Sequence, residues 1–191
     1  TPCKGIATFK NIPFNRPAKG ALMETQRILI MAVLCSLLAA TLAASADTLE
    51  LTAELNRGGR ILMIRHALAP GSGDPPGFRI GDCATQRNLD ARGRDQARRI
   101  GVWLRNRGVT AARVFSSQWC RCLDTATLID LGPVTPLPAL NSFFERPADR
   151  EPNLAALREF IARQPREGHL IIMVTHFVTI AGLTGEGLGS G

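Results

Sequence analysis

Lysine is absent after Lys19, tyrosine is absent throughout, and aromatic residues make up only 5% of the 191 residues. A nucleic-acid face combines a basic stripe with stacking aromatics, so these absences argue against one. The formal charge of +7 does not restore it: five of the 23 basic and one of the 16 acidic residues precede Asp47, leaving 18 against 15, or +3, from there on. That excess is all arginine, whose planar fork suits bidentate grips on phosphate or carboxylate. The composition therefore fits a few arginines converging on a small anion, and it excludes the charged face that lipid or nucleic acid would need. Metal-binding patterns are missing as well. Cys120-Arg121-Cys122 has a one-residue spacing and no second pair, and His169 and His176 lie downstream without zinc-like spacing. There is no internal repeat.

The N-terminal stretch reads as an address. Residues 1–22 lack periodicity and hold several proline, glycine and basic residues, which predicts a disordered extension upstream of Met23. Residues 23–46 read as a secretory signal peptide: a short polar start with Arg27, the apolar run Ile28 to Leu42, then Ala44-Ser45-Ala46 as an A-x-A cleavage site. The run is short for a membrane span, so no stable membrane association is expected after cleavage, with an uncleaved anchor as the alternative, and the location implied is periplasmic or secreted. Residues 47–191 then form one domain, with enough apolar content for one compact core. Export would leave Cys83, Cys120 and Cys122 in an oxidising compartment, where one disulfide from Cys83 to either Cys120 or Cys122 with one free thiol stands against three buried free thiols.

Within that domain, apolar runs alternate with helix-period segments, the pattern of an α/β layered fold. Strands are expected at Arg60 to Arg65, which reads as buried, at Arg113 to Ser116 and at Leu170 to Val174, with a short extended piece at Val134 to Pro136. Helices are expected from an Asn88 cap to about Arg107, with Ala97, Ile100, Gly101 and Leu104 on one face, from Arg121 to Leu131, and from Asn153 to Gln164. Between Ala67 and Arg87 runs a Gly- and Pro-rich connection long enough to suggest a functional or mobile loop. Arg65-His66, Ser116-Ser117 and Thr175-His176 each sit where a strand gives way, and open α/β sheets bind ligands at the carboxyl ends of their strands.

Four stretches in this order resemble the histidine phosphatase superfamily: Arg65-His66 after the first strand, Gly93 with Gln96-Ala97 in the next helix, Ser117 and Arg121 in "SSQWCRCLDTA" with Thr125-Ala126 following, and His176 after the last strand. "GDCATQRNL" further resembles a secreted bacterial branch. The resemblance covers residues 60 to 185 and implies a three-layer α/β/α sandwich with a mostly parallel central sheet, phosphoglycerate mutase-like. It departs from the family at Ala67 and Thr175, where glycine is usual and where alanine and, more so, threonine restrict the backbone. It departs also at the "TGEGLGSG" end, where the family commonly continues, which suggests a truncated C-terminal edge.

What the resemblance implies is an exported phosphomonoesterase acting on a small phosphorylated substrate. His66 would be the nucleophile that forms a phosphohistidine, Arg65 and Arg121 would clamp the phosphate oxygens, and His176 would add a further donor. No metal or other cofactor is required. The leaving oxygen needs a proton, and Glu145 in "LNSFFERPADR" is the candidate acid, with Phe143 and Phe144 beside it to desolvate the carboxyl and Asp149 and Glu151 as substitutes. Its alternative is a surface glutamate paired with Arg146. Ser72, Arg79 and Arg87 read as solvated loop residues, with contact to substrate as the alternative. A phosphoglycerate mutase-type transferase or an inactive phosphate-binding protein are the competing readings. The substrate and the oligomeric state are not legible.

Overall fold

The computed structural model describes residues 26–27, 29–32 and 48–185. The chain divides into two compact units, Thr1–Thr48 and Leu49–Gly191. In the first, the described residues 26–27 and 29–32 are helical. The expected upstream extension, nearly all of the expected leader with its cleavage site, and residues 186–191 of the glycine-rich end lie outside the described residues. Among the described residues no helix is long and apolar enough to cross a membrane.

Residues 48–56 form helix α1, which buries Leu55. Four strands follow along the chain: β1 (Ile61–Arg65), β2 (Ala112–Ser116), β3 (Val134–Pro136) and β4 (Leu170–Thr175). They form one sheet in the order β1-β4-β2-β3, every pair parallel. The last strand in sequence is thus internal in space, and all six of its residues are buried, as a parallel strand covered on both faces requires. β1 lies at the edge, and its residues are half-buried or exposed, so the expectation of a fully buried first strand is corrected by its position.

Side-chain alternation along the strands builds two cores. Leu62, Ile64, Val114, Ile172 and Val174 face Leu104 of helix α2 (Ala91–Arg105) and Ile129 of helix α3 (Cys120–Ile129). Ile61, Met63, Phe115, Ile171 and Met173 face Leu157 and Phe160 of helix α4 (Arg150–Ala162). Helices on both faces of a parallel sheet give the three-layer α/β/α arrangement expected from the sequence.

The helix boundaries differ from the expected ones for local reasons. α2 is capped by Asp90, whose carboxylate accepts from Gly93 N at 2.7 Å. Asn88, the expected cap, instead donates to the carbonyls of Cys83 and Gln86. α2 and α3 approach so closely that a Cβ on Gly101 would lie 2.1 Å from the Ile129 carbonyl oxygen, and only glycine allows that. α3 stops at Ile129 because Asp130 turns into the left-handed region at φ 54°. α4 starts before Asn153 because the turn Pro147–Asp149 runs straight into it. A further helix not anticipated from the pattern, α5 (Phe177–Thr184), follows His176 directly.

Candidate active site

Three adjacent strands deliver the site. His66 N donates to the Thr175 carbonyl at 2.9 Å and Ser117 N to the Val174 carbonyl at 2.9 Å, so the ladders of β1 and β2 with β4 each continue one residue past the strands. His176 follows β4 as the residue that opens α5. The two histidine rings meet edge-on with centroids 5.5 Å apart.

The helical motif explains how the chain beyond His66 is held. Ala67 N donates to Thr125 Oγ1 at 3.0 Å, and Leu68 N donates to Gln96 Oε1 at 2.8 Å. A Cβ on Gly93 would stand 2.0 Å from the Leu68 carbonyl oxygen, so glycine there lets the segment lie against α2. Neither Ala67 nor Thr175 has a positive φ, so the two departures from the family pattern introduce no backbone strain. Thr175 adds a bond, its hydroxyl donating to the Leu140 carbonyl at 2.6 Å.

His66 is 7% exposed, and its Nδ1 lies 2.7 Å from the Ala67 carbonyl oxygen. A carbonyl only accepts, so this bond places the proton on Nδ1 and leaves the Nε2 lone pair free. Burial, reinforced by the Arg121, Arg87 and Arg65 cations and opposed by that hydrogen bond, lowers the imidazole pKa to about 4. His176 is held well below its ordinary value by burial and the same cations. Its Nε2 lies 2.9 Å from Ser117 Oγ, which donates to Asn141 Oδ1 at 3.2 Å. Since the serine has one proton to give, it accepts from His176, and Nε2 carries the imidazole proton.

A cavity of about 380 Å³ opens over these groups. Arg65, His66, Arg121, Glu145 and His176 all line it, so the five residues singled out for chemistry from scattered positions come together. Glu145 makes no ion pair with Arg146; its Oε1 accepts from Asp74 N at 2.5 Å. The flanking phenylalanines do not shield it as expected. Phe143 turns into the core at 8% exposure, Phe144 is 59% exposed, and Glu145 itself is exposed. Asp149 and Glu151 do not reach the cavity.

Of the three residues of the long loop read as solvated, two are placed otherwise. Arg79 is exposed and pairs with Asp82, as expected. Ser72 and Arg87 line the cavity instead. Arg87 is half-buried and braces the loop, with Nε donating to the Gly73 carbonyl at 2.6 Å and NH1 to the Ala69 carbonyl. Gln86 accepts from Cys120 N at 3.0 Å, and Cys83 is disulfide-bonded to Cys120, so the loop is tied twice to the first turn of α3. Of the two pairings left open by the sequence, this is the one formed; Cys122 is the free, buried thiol, its pKa pushed up to about 12 by burial. Asp74 and Trp119 at the cavity were missed by residue-pattern reasoning. The only signal for Asp74 was its place in an unusually long Gly/Pro-rich connection.

The fold and the site thus define an α/β protein that gathers arginines and two neutral histidines around a cavity at the carboxyl ends of a parallel sheet. Residues 61–150 match the family described as histidine phosphatase superfamily (branch 1). No curated protein sequence matches the chain. Among solved structures it is similar to the protein histidine phosphatase SixA complexed with tungstate, at 19% identity over 66% of this chain and 74% of that one, with a TM-score of 0.41. It is also similar to a protein assigned as phosphohistidine phosphatase SixA from Agrobacterium tumefaciens, at 21% identity over 65% of this chain and 73% of that one, with a TM-score of 0.46. A third similarity is to a protein assigned as alpha-ribazole-5'-P phosphatase from Escherichia coli str. K-12 substr. MG1655, at 22% identity over 69% of this chain and 80% of that one, with a TM-score of 0.47.

Proposed function

We propose that the protein is an exported phosphomonoesterase that works through a phosphohistidine on His66. The observation that carries this reading is the state of that ring: buried, held neutral, its Nδ1 proton committed to the Ala67 carbonyl and its Nε2 lone pair left free beside three arginines. A phosphomonoester dianion repels nucleophiles, so catalysis consists of neutralising its oxygens and holding an attacker in line. Nε2 attacks phosphorus, the N–P bond forms as the O–P bond to the leaving group breaks, and Arg65 and Arg121 balance the oxygens. Glu145 protonates the departing oxygen. With Oε1 accepting from Asp74 N, Oε2 is the oxygen free to carry that proton. Water then attacks the phosphohistidine, Glu145 takes its proton, and phosphate leaves with Nε2 restored.

His176 serves as a donor only when its second ring nitrogen is protonated, since Nε2 is engaged with Ser117. An arriving dianion favours that protonation by opposing the cations that suppress it. Export is supported by the leader pattern before Asp47 and by the Cys83–Cys120 bond, which suits an oxidising compartment. N-terminal sequencing of exported material should begin at Asp47; retention of the Ile28 to Leu42 run would show an anchor instead. For the chemistry, denaturation in alkali during turnover should trap phosphate on His66, because phosphohistidine is acid-labile. Phosphate on a serine, or on no residue while turnover is fast, would overturn the mechanism.

A further inference from the structure

We propose that Asp74 is a positioning residue for phosphate binding: its carboxylate holds Arg121 through NH1 alone, so that the Nε–NH2 edge of the guanidinium is presented to the phosphate. This rests on the phosphatase reading above. Arg121 and Asp74 side chains are 4% and 3% exposed. NH1 lies 2.8 Å from Oδ1 and 3.0 Å from Oδ2, and also donates to the Arg87 carbonyl at 3.3 Å. All hydrogen bonds of the guanidinium to described residues therefore fall on one nitrogen, while Nε is buried without a partner. A buried donor without an acceptor is unfavourable, and two phosphate oxygens on the Nε–NH2 edge would satisfy it in the bidentate geometry arginine prefers.

The carboxylate is itself fixed on every side. Oδ1 accepts from Arg87 N at 2.9 Å and Oδ2 from Trp119 Nε1 at 2.9 Å. Burial alone would raise its pKa, but the Arg121, Arg87 and Trp119 hydrogen bonds and the Arg121 charge prevail and lower it, so it remains the counter-charge of Arg121 in the free protein. A carboxylate standing in for phosphate would occupy the bidentate edge; Asp74 leaves that edge open. Its backbone N–H meanwhile donates to Glu145 Oε1, and Gly73 before it adopts the left-handed conformation, φ 65°, that glycine favours. One residue thus sets both the arginine and the candidate acid.

The test is calorimetric titration of the whole chain with inorganic phosphate, alongside kcat and KM on p-nitrophenyl phosphate. Asp74→Asn should weaken phosphate binding about 10- to 100-fold and raise KM by a similar factor, the usual worth of hydrogen bonds to charged groups. In an Arg121→Lys background the same change should add less than about twofold, since residues that act through one another are not additive. Phosphate binding as tight as or tighter than that of the unaltered chain, or additive losses in the double variant, would overturn the proposal. If Asp74→Asn does not fold, Trp119→Phe carries the test: it removes the Nε1 donor to Oδ2 together with part of a buried ring packed against His176 and Phe78, and should weaken phosphate about three- to tenfold, with no change counting against the proposal. An unaltered chain that binds no phosphate would overturn the phosphatase reading and this inference together, whereas unaltered binding with an indifferent Asp74→Asn removes this inference alone.

Discussion

His66 and Glu145 face one cavity from two kinds of structure. His66 extends a strand: its backbone continues the β1–β4 ladder, its ring is buried, and the two residues after it are gripped by Thr125 and Gln96. Glu145 sits in a loop between short helical turns, is exposed, and is held by one hydrogen bond from another loop. The nucleophile is thus placed by the sheet and the acid by the contact between loops. The first cannot move without disturbing the core, whereas the second depends on the braces of the 67–87 connection. Preorganisation of the attacking group and adaptability around the leaving group are divided between them.

Removing the strand-end group should give the largest loss. His66→Ala is expected to reduce turnover by about 10⁴-fold or more, the scale at which nucleophile loss is usually felt, with circular dichroism and melting temperature little changed because no apolar core side chain is removed. A fall in melting temperature that accounts for the lost activity would mean the strand end is structural. On the loop side, Glu145→Gln should slow alkyl phosphates by about 10² to 10⁴ and aryl phosphates with acidic phenols much less, read from the burst rate so that slow phosphohistidine hydrolysis does not hide the difference. Equal losses on both classes would remove Glu145 from proton transfer, and Asp149 and Glu151, outside the cavity, would be poor replacements.

Cutting the tether between the loop and α3 sharpens the contrast differently. The Cys83–Cys120 bond closes a sequence separation of 37 residues, so Cys83→Ser with Cys120→Ser should lose about 2–4 kcal/mol in chemical denaturation. KM should rise more than kcat falls, since the loop wall loosens while His66 stays clamped. A proportional loss of kcat would show the loop controlling the nucleophile as well.

On activity near neutrality, the smallest effect is that of pH. With the His66 pKa near 4, kcat/KM should not fall through pH 6.5 and should decline about tenfold per unit only below pH 4. Stability has the opposite reach. The unfolded chain protonates this ring at about 6.5 and the folded chain does not until about 4, so the contribution is complete above 6.5 and about 3 kcal/mol is lost as pH falls through that window. His176, lowered in the same direction, adds to the loss. Denaturant midpoints between pH 7 and 4 that do not move would contradict the buried, neutral state of both rings.

The elements readable from the chain were those with a period. Ala97 and Leu104 are fully buried on the helix face that their spacing marked, and Val134–Pro136 is extended as its residues suggested. Boundaries slipped where a turn decided them: Asp90 rather than Asn88 caps α2, and Asp130 ends α3 by entering the left-handed region. Among the site residues, those at strand ends were legible because a polar residue after an apolar run is conspicuous. Asp74 and Arg87 were not, because a polar residue in a Gly/Pro-rich loop looks like any solvated one until its partners are known.

The sequence by itself determined the α/β order, the histidines that follow two apolar strands, and three cysteines open to one bridge, since each of these is a property of residue type and spacing. Only the tertiary structure decided that Cys120 rather than Cys122 meets Cys83, that His66 points its Nδ1 at the Ala67 carbonyl, and that Asp74 holds Arg121 through its carboxylate and Glu145 through its backbone N–H. The reason is physical. Periodicity records which way a side chain faces within its own element, whereas the partner of a buried charge or thiol is set by distances between elements far apart along the chain, and those exist only once the sheet has brought β1, β4 and β2 side by side.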